Sequence, residues 1–329
     1  MIKGSPYSDW PWLLYLYLIR AYFRFLTAGK CLNVPLVLQL QTQSFRNGRC
    51  TICPYPISSQ VLSNGTMERE LFERIASELA SEKQASMLVF GLHNEPLLDR
   101  RLFDWVEHIK ARSPETFCIV VTNGELLDRF GLVEMLQPGL DQLIISINAY
   151  TREVYQSINA GLNFDIVIKN IQYLVSDRDM KPKVQLRFAL SAKNAHEVKT
   201  AVDYWKTQGV RTKVRGITNR AGSLENFEGL RVGDNEYAGK VPWTVWHRLM
   251  STARGFTGCD LPFYQMNILF NGDIIVCPHD WNRTTVVGNV KTSSLREIWN
   301  SERMNEIRQL ILRKRYEMIN SCRECSLAK

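Results

Sequence analysis

The chain of 329 residues is long enough for one large or two moderate domains, and 45% of its residues are hydrophobic and 22% charged. This composition excludes a disordered chain, a collagen, a long coiled coil and a disulfide-stabilised mini-protein. Lys and Arg exceed Asp and Glu by 41 to 33, a net charge of +8. The basic residues are scattered apart from a cluster at 308–315, which is typical of a solvated helix face, and we expect no nucleic-acid partner.

The first predicted element is a helix over 10–27. Its apolar stretch, Trp10 to Ile19, is shorter than the roughly 20 residues that cross a bilayer, and no small-residue cleavage site follows it. We therefore expect a helical extension over 1–34, no transmembrane segment, and a cytoplasmic protein with reduced cysteines. Attachment to a membrane surface is the minority interpretation.

Short β runs alternate with helical patterns from residue 35 to residue 217. The predicted strands are 36–41, 87–90, 117–121, 142–147, 184–190 and 212–217, and the predicted helices are 67–83, 100–111, 125–135, 164–175 and 195–208. Six strands that alternate with five helices are typical of right-handed βαβ units. The sequence therefore predicts a parallel sheet or a partial barrel over this range.

Residues 218–258 lose the alternation and are interpreted as a connection. A different unit is predicted over 259–329. Asn271-Gly272 favours a hairpin turn between two short β runs, because this pair readily takes positive φ angles. A Ser-x-x-Glu pattern at 294–297 is a capping box ahead of the next helical stretch.

Six of the eight cysteines have the spacing of metal ligands. They form a C-x2-C pair, Cys50 and Cys53, and a C-terminal quartet, Cys259, Cys277, Cys322 and Cys325. In a reducing compartment a C-x2-C pair is more often a metal site than a disulfide. Four thiolates satisfy either tetrahedral zinc or a cubane iron–sulfur cluster, and the spacing does not separate the two. Cys31 and Cys118 are expected to be small core residues.

Several predicted strands are followed by residues with binding chemistry. They are 45–54 (FRNGRCTICP) after the first strand, 91–99 (GLHNEPLLD) after the second, 121–124 (VTNG) after the third, Ser146 at the end of the fourth and Arg187 on the fifth. In the C-terminal unit, His279 is expected to be an exposed residue at the hairpin end or a neighbour of the quartet. Asp280 and Trp281 are candidates for a substrate-facing surface.

In this order, the motifs resemble those of the radical S-adenosylmethionine (radical SAM) enzymes with a C-terminal SPASM or twitch-type auxiliary-cluster domain. The quartet spacing looks most like that of the radical SAM aminocyclitol dehydrogenases. The resemblance covers about residues 35–329. It implies an α/β fold, a partial (β/α)6 TIM-like barrel with a small C-terminal hairpin-plus-helix domain. The implied cofactors are S-adenosyl-L-methionine (SAM), a 4Fe–4S SAM cluster and a second, auxiliary 4Fe–4S cluster.

The resemblance also implies roles for individual residues. Cys50 and Cys53 would ligate the SAM cluster, and the quartet would ligate the auxiliary cluster. The residues implied to contact SAM are Ile52, Glu95, Asn123, Ser146 and Arg187. His93 and Asn94 replace two glycines of the family motif that precedes the glutamate.

Arg46 is the main departure from the family pattern, because the first of three loop cysteines should stand at this position. Arginine has no thiolate and stays protonated, so the ligand set of the SAM cluster is incomplete. At about 3.3 Å per strand residue, Cys31 lies roughly 25 Å from the loop and Cys118 lies roughly 13 Å below its own strand end. Neither cysteine is expected to replace the missing ligand.

By resemblance the chain is an enzyme, a radical SAM oxidoreductase. A 5′-deoxyadenosyl radical would abstract hydrogen from a small polyhydroxylated, amino-sugar or peptide substrate, and a reducing partner such as flavodoxin or ferredoxin would supply electrons. Three alternatives stay open. They are a catalytically inactive scaffold, natural or engineered, that lacks a complete SAM cluster because of Arg46; an epimerase with Cys118 as hydrogen donor; and a zinc protein without redox chemistry.

Overall fold

The computed structural model describes residues 11–32, 34–81, 87–136, 138–233 and 259–327. The predicted connection over 218–258 therefore lies mostly outside the described residues. Among the described helices, none is long and apolar enough to span a bilayer.

Nine strands within the described ranges form one sheet. They are β1 (Val37–Leu40), β2 (Met87–Phe90), β3 (Phe117–Thr122), β4 (Gln142–Ser146), β5 (Val184–Leu190), β6 (Arg211–Gly216), β7 (Gln265–Ile268), β8 (Asp273–Ile275) and β9 (Val286–Asn289). Their order in the sheet is β6-β5-β4-β3-β2-β1-β7-β8-β9. The first six strands are all parallel, each hydrogen-bonded to the next along the chain, so the predicted α/β barrel architecture is confirmed.

Helices connect these strands. They are α1 (Pro11–Ala28), α2 (Tyr55–Val61), α3 (Arg69–Ser81), α4 (Leu102–Arg112), α5 (Leu132–Leu136), α6 (Arg152–Ile158), α7 (Phe164–Ser176), α8 (Val198–Thr207), α9 (Phe227–Leu230), α10 (Leu261–Tyr264), α11 (Leu295–Trp299) and α12 (Glu302–Leu312). Amphipathic patterning explains the longer ones. In α3, for example, Leu71, Ile75 and Leu79 recur every four residues and are buried.

One predicted helix is wrong in detail, and four short helices, α2, α6, α9 and α10, were not predicted. The pattern at 125–135 forms a 3-10 turn, Glu125–Arg129, and then α5. The break falls at Phe130, which adopts an extended conformation and buries its ring edge-on against Phe103, with the ring centroids 5.0 Å apart. Of the residues of α2, only Ser58 is buried, so this helix has no apolar stripe that a periodicity search could detect.

The hairpin of the C-terminal unit continues the barrel sheet. β7 pairs in parallel with β1, with Leu40 opposite Ile268, and β8 and β9 add antiparallel pairs beyond it. The capping box is present, since the Ser294 hydroxyl accepts from the Glu297 backbone and the Glu297 carboxylate accepts from the Ser294 backbone. β9 was not predicted, and its short sequence contains Gly288, which weakens a strand pattern.

A buried arginine anchors this unit to the rest of the chain. Arg308 is fully buried, donates to the backbone oxygens of Pro262 and Trp299, and lies 4.2 Å from the centroid of the Trp299 ring. The N-terminal helix packs on the same region, because Phe25 meets Phe263 edge-to-face at 5.6 Å. The predicted N-terminal helix is therefore part of the core.

We expect Gly91→Ala to lower the free energy of unfolding by about 1–3 kcal/mol. Gly91 follows β2 with a φ of 139°, and a Cβ atom there would lie 2.9 Å from the Val121 carbonyl oxygen. Gly216→Ala is the matched control at the end of β6, because a Cβ there would meet nothing within 4 Å. Urea denaturation measures both variants, and equal stability would contradict this account of the β2–β3 contact.

Candidate active site and cluster sites

The carboxyl ends of the parallel strands bring three of the predicted SAM-contact residues to one edge of the sheet. Asn123 directly follows β3, Ser146 ends β4, and Arg187 lies opposite Ser146 in the β4–β5 register. In parallel α/β folds this edge is where ligands bind. The geometry therefore groups these residues as the sequence predicted, while their contacts with SAM remain a prediction.

Glu95 has a positioning role in the structure. Its carboxylate is 3% exposed and accepts three hydrogen bonds, from the backbone of Leu97 at 3.1 Å, the Thr122 hydroxyl at 2.6 Å and the backbone of Asn123 at 2.8 Å. Burial is the main influence on the Glu95 carboxyl and raises its pKa. Glu95 therefore holds the backbone at Asn123 in place, and its predicted contact with SAM stays a prediction.

Asn123 transmits this order to the cysteine loop. Its side-chain amide donates to the Asn47 carbonyl at 2.8 Å, and Asn47 in turn donates to the Glu125 carboxylate at 2.7 Å. Hydrogen-bonded chains of this kind hold the groups at their ends more rigidly than isolated bonds do. The loop after β1 is thus fixed to the loop after β3 by side chains, independently of any metal.

The loop that carries Cys50 and Cys53 is also held by the segment after α6. The backbone of Arg49 donates to Ala160 at 2.7 Å, and the backbone of Thr51 donates to Ile158 at 2.8 Å. Burial, the largest influence, raises the pKa of the Cys50 thiol to about 12. Cys50 is therefore a thiol at neutral pH unless a metal cation displaces its proton.

Ile52 lies between these cysteines, and the structure buries it in a small apolar cluster with Ile158, Leu224 and Leu230. The sequence assigned Ile52 to cofactor contact. Its observed surroundings are protein side chains that hold the loop against the end of the barrel.

The guanidinium group of Arg46 lies between two aromatic rings. Its guanidinium carbon lies 5.2 Å from the centroid of Trp281 and 5.7 Å from that of Tyr55, whose hydroxyl accepts from the Arg46 backbone at 3.0 Å. The Arg46 Nε atom is buried, with no hydrogen-bond partner among the described residues. The donor set of this loop is thus two thiols and a cation, which does not fit the three-thiolate site of a SAM cluster.

His93 stands where the family motif has a glycine, and its contacts stabilise the backbone at this position. It adopts a left-handed backbone with a φ of 56°, stacks on Trp281 at 4.1 Å, and donates from Nε2 to the Pro278 carbonyl at 2.7 Å. Burial lowers the pKa of His93 to about 3, so the ring is neutral at pH 7. These contacts offset the backbone strain and join the end of β2 to the segment that follows Cys277.

The C-terminal quartet forms one electrostatic group. Burial raises the pKa of Cys259, Cys277 and Cys322, that of Cys322 to about 11, and each thiol is influenced by others of the quartet. The backbone of Cys259 donates to the Tyr316 hydroxyl at 3.3 Å. Cys277 and Cys325 are buried and Cys259 and Cys322 are half-buried. Four thiols are the ligand number of a cubane cluster, whose cationic irons keep thiolates deprotonated. Within the described ranges, no three His, Cys, Asp or Glu side chains are close enough for a single metal ion.

His279 and Asp280, in the segment after Cys277, both have protein partners. His279 is half-buried and not exposed; its backbone donates to the Cys277 sulfur at 3.4 Å, and its Nδ1 is in hydrogen-bond contact with the Thr218 hydroxyl at 3.2 Å and with Arg220 at 3.3 Å. Asp280 is buried and accepts from the backbones of Thr284 and Thr285, so it fixes its own turn.

Cys118 and Cys31 lie in the core, as expected. Cys118 is the second residue of β3, and the charged groups that act on it are Lys110 and Asp141, while burial raises its pKa to about 12. The Cys31 thiol donates to the Phe263 backbone at 3.6 Å. The position of Cys118 near the amino end of β3 gives a hydrogen-donor role no geometric support.

Arg220 is the functional candidate that the sequence reasoning missed. Its Nη1 lies 3.3 Å from the Nδ1 of His279, two residues after Cys277, and Cys53, Arg46 and Cys277 act on it electrostatically, so its guanidinium lies near both cysteine centres. The sequence signal for this residue is the Asn-Arg-Ala-Gly segment at 219–222, which comes shortly after β6.

The fold and the site together point to one class of protein, which has a parallel α/β barrel, a cysteine loop after β1 and a cysteine quartet in an appended hairpin. The family model of the radical SAM superfamily matches residues 42–204, and that of an iron–sulfur cluster-binding domain, SPASM, matches residues 259–326. Residues 42–204 are therefore a radical SAM domain, the domain of enzymes that use SAM and 4Fe–4S clusters. Its C-terminal part is a SPASM domain, which favours iron–sulfur over zinc for the quartet.

Known proteins resemble the chain over most of its length. The tungsten-containing aldehyde ferredoxin oxidoreductase cofactor-modifying protein of Pyrococcus furiosus is 24% identical over 323 residues, covering 88% of this chain and 87% of its own. The SAM-dependent 2-deoxy-scyllo-inosamine dehydrogenase of Niallia circulans is 18% identical, with coverages of 88% and 92%. The crystal structure of BtrN with AdoMet and 2-DOIA superposes with a TM-score of 0.59 at 17% identity, covering 89% and 93%. The last likeness shows the fold.

We expect Glu95→Gln to lower the free energy of unfolding by about 1–3 kcal/mol, because the new amide would either face the Asn123 backbone donor or leave another donor unpaired. Glu115→Gln is the exposed control and should leave stability unchanged. Thermal denaturation followed by circular dichroism measures both. An unchanged midpoint for Glu95→Gln would show that the hydrogen bonds to this carboxylate do not stabilise the fold.

Proposed function

We propose that the chain is a radical SAM oxidoreductase that oxidises a small polyhydroxylated or amino-sugar substrate, with a peptide as the nearest alternative. The observation that carries the proposal is a single cysteine quartet behind a SAM-type barrel. One fully ligated auxiliary cluster is suited to electron transfer and leaves no iron open for substrate. The similarity to a 2-deoxy-scyllo-inosamine dehydrogenase supports oxidation of an alcohol.

The chemistry requires an electron acceptor near the substrate. Oxidation of an alcohol to a carbonyl removes two electrons and two protons, and the auxiliary cluster, when bound, supplies an acceptor for one of the electrons. Cys259, Cys277, Cys322 and Cys325 would hold this cluster. We assign the initial electron to an external reductant of the flavodoxin or ferredoxin type.

The residues at the carboxyl edge would hold SAM. Arg187 would pair with the SAM carboxylate, since a guanidinium binds carboxylates in a bidentate manner. Asn123 and Ser146 would contact the ribose side, with Asn123 kept in place by Glu95. These three residues bind and orient, and they take no part in proton transfer.

Arg46 favours a second candidate, a catalytically silent scaffold that keeps the fold and the auxiliary cluster. Its wedged side chain occupies the position of the first cluster ligand, between Tyr55 and Trp281. With two thiolates, a cubane would have two irons without protein ligands and would be labile. We derive no catalytic step through that cluster.

Iron content distinguishes the two candidates. After anaerobic reconstitution, about eight irons per chain and a paramagnetic resonance signal that SAM perturbs would support the oxidoreductase. About four irons with no response to SAM would support the scaffold. Acid-labile sulfide, measured on the same samples, checks that the iron belongs to clusters.

We expect Arg46→Cys to complete the three-cysteine loop and to bring the iron content to about eight per chain. Arg49→Cys, three residues away on the same loop and exposed, is the matched control and should leave the iron content of the parent unchanged. An Arg46→Cys protein with the same iron content as the parent would contradict the assignment of this loop.

The reconstituted Arg46→Cys protein also tests the oxidation. We expect 5′-deoxyadenosine to form with dithionite and SAM, and an oxidised product to accumulate in equal amount when a substrate is supplied. Cys118→Ala should leave this turnover unchanged, because Cys118 is buried near the amino end of β3. Loss of an epimerised product in Cys118→Ala would support the epimerase instead, and 5′-deoxyadenosine without a matching oxidised product would exclude oxidation.

A further inference from the structure

Arg220 stands in a strained backbone next to both cysteine centres. Arg220, Ala221 and Gly222 take consecutive left-handed φ angles of 51°, 56° and 85°. Only the third of these is a glycine, and left-handed angles in other residues cost energy that surrounding contacts must offset. Such strain persists at positions where the placement of a side chain matters.

Asn219 supplies those contacts. Its side-chain carbonyl accepts from the Ser326 backbone at 2.9 Å, its backbone donates to the Ser326 hydroxyl at 3.2 Å, and its amide donates to the Glu324 carbonyl. Ser326 directly follows Cys325. The turn that carries Arg220 is therefore fixed to the segment that ligates the auxiliary cluster, although the two lie about a hundred residues apart in the sequence.

The Arg220 guanidinium has a hydrogen-bond donor that no described residue accepts from. Its Nη1 donates to the His279 Nδ1 at 3.3 Å, and its Nε is buried with no hydrogen-bond partner among the described residues. The thiols of Cys53 and Cys277 and the Arg46 guanidinium act on it electrostatically. A buried N–H without an acceptor is costly, and the planar donors of a guanidinium match the oxygens of a phosphate or a carboxylate.

Two other cationic side chains act on this part of the structure. Arg215, on β6, acts electrostatically on His279, which also feels Arg220. Arg46 acts on both Arg220 and His93. Because neighbouring positive charges attract an ion of opposite charge, these arginines favour a negatively charged ligand at this point.

We propose that Arg220 binds an anionic group of the substrate, a phosphate or a carboxylate carried by a small polyhydroxylated molecule. His279 accepts from Arg220 at Nδ1, which leaves its Nε2–H as a second donor. The word substrate rests on the proposed function, but anion binding here does not require SAM cleavage. The inference narrows the proposed substrate class to molecules that carry an anionic group.

Isothermal titration of the anaerobically reconstituted protein tests the site with four probes: inorganic phosphate, glucose 6-phosphate, gluconate and glucose. We expect at least one of the three anions to bind and glucose not to bind. Arg220→Asn should weaken anion binding about tenfold or more, because a charge-assisted hydrogen bond is lost. Asparagine tolerates the left-handed backbone, so the variant removes the charge without adding strain.

Lys314→Asn is the matched control. Lys314 is also a basic residue with a left-handed φ, 57°, but it is exposed and lies at the end of α12. We expect its anion affinity, iron content and melting temperature to equal those of the parent. Stronger binding of glucose 6-phosphate than of gluconate would identify a phosphate as the natural group, and the reverse would identify a carboxylate.

Three results would overturn the inference. They are equal affinity of glucose and the anions, anion affinity that is unchanged in Arg220→Asn, and weakening to the same extent in Lys314→Asn. Unchanged anion affinity with a lower iron content in Arg220→Asn would make Arg220 a partner of the auxiliary cluster. Failure here leaves the iron and 5′-deoxyadenosine measurements untouched, so it is distinguishable from failure of the proposed function.

Discussion

The parallel pairing of β1 with β7 is the constraint on which the site depends. It joins strands more than two hundred residues apart and makes the SPASM hairpin an extension of the barrel sheet. Once the hairpin is fixed there, the segment after Cys277 reaches the end of β2, where Trp281 stacks on His93 and Pro278 accepts from it. The segments beside the two cysteine centres therefore contact each other, so a substitution in either loop changes the surroundings of residues in the other.

A buried carboxylate organises the opposite side of the site. The Glu95 carboxylate accepts hydrogen bonds from its own loop and from the end of β3. Asn123 extends this network to Asn47 in the cysteine loop. A charge buried this deeply is stable only because each oxygen has a donor. Glu95 thus fixes the backbone at the end of β3, next to the edge at which the predicted SAM-contact residues Asn123 and Ser146 lie.

The sequence was informative where burial is periodic and weak where it is not. Strands such as Val184–Leu190 and Met87–Phe90 were predicted with their observed bounds, because apolar runs bounded by helical patterns are typical of a parallel sheet. Helix α2 was missed since it buries one residue, and the β1–β7 pairing has no local signal at all. Arg220 was missed for a related reason: its importance lies in backbone strain and in the charges around it, which only the folded chain displays.

Arg46 shows that the conformation of the cysteine loop does not depend on the side chain that would ligate the cluster. The cysteine loop is held by backbone hydrogen bonds to Ala160 and Ile158 and by the Asn47–Asn123 contact, and none of these uses the side chain at position 46. The loop conformation is therefore compatible with an arginine there, whose guanidinium lies between two rings. Since the fold does not depend on the ligand, similarity of fold carries no information about whether the cluster forms, and the donor set itself must decide.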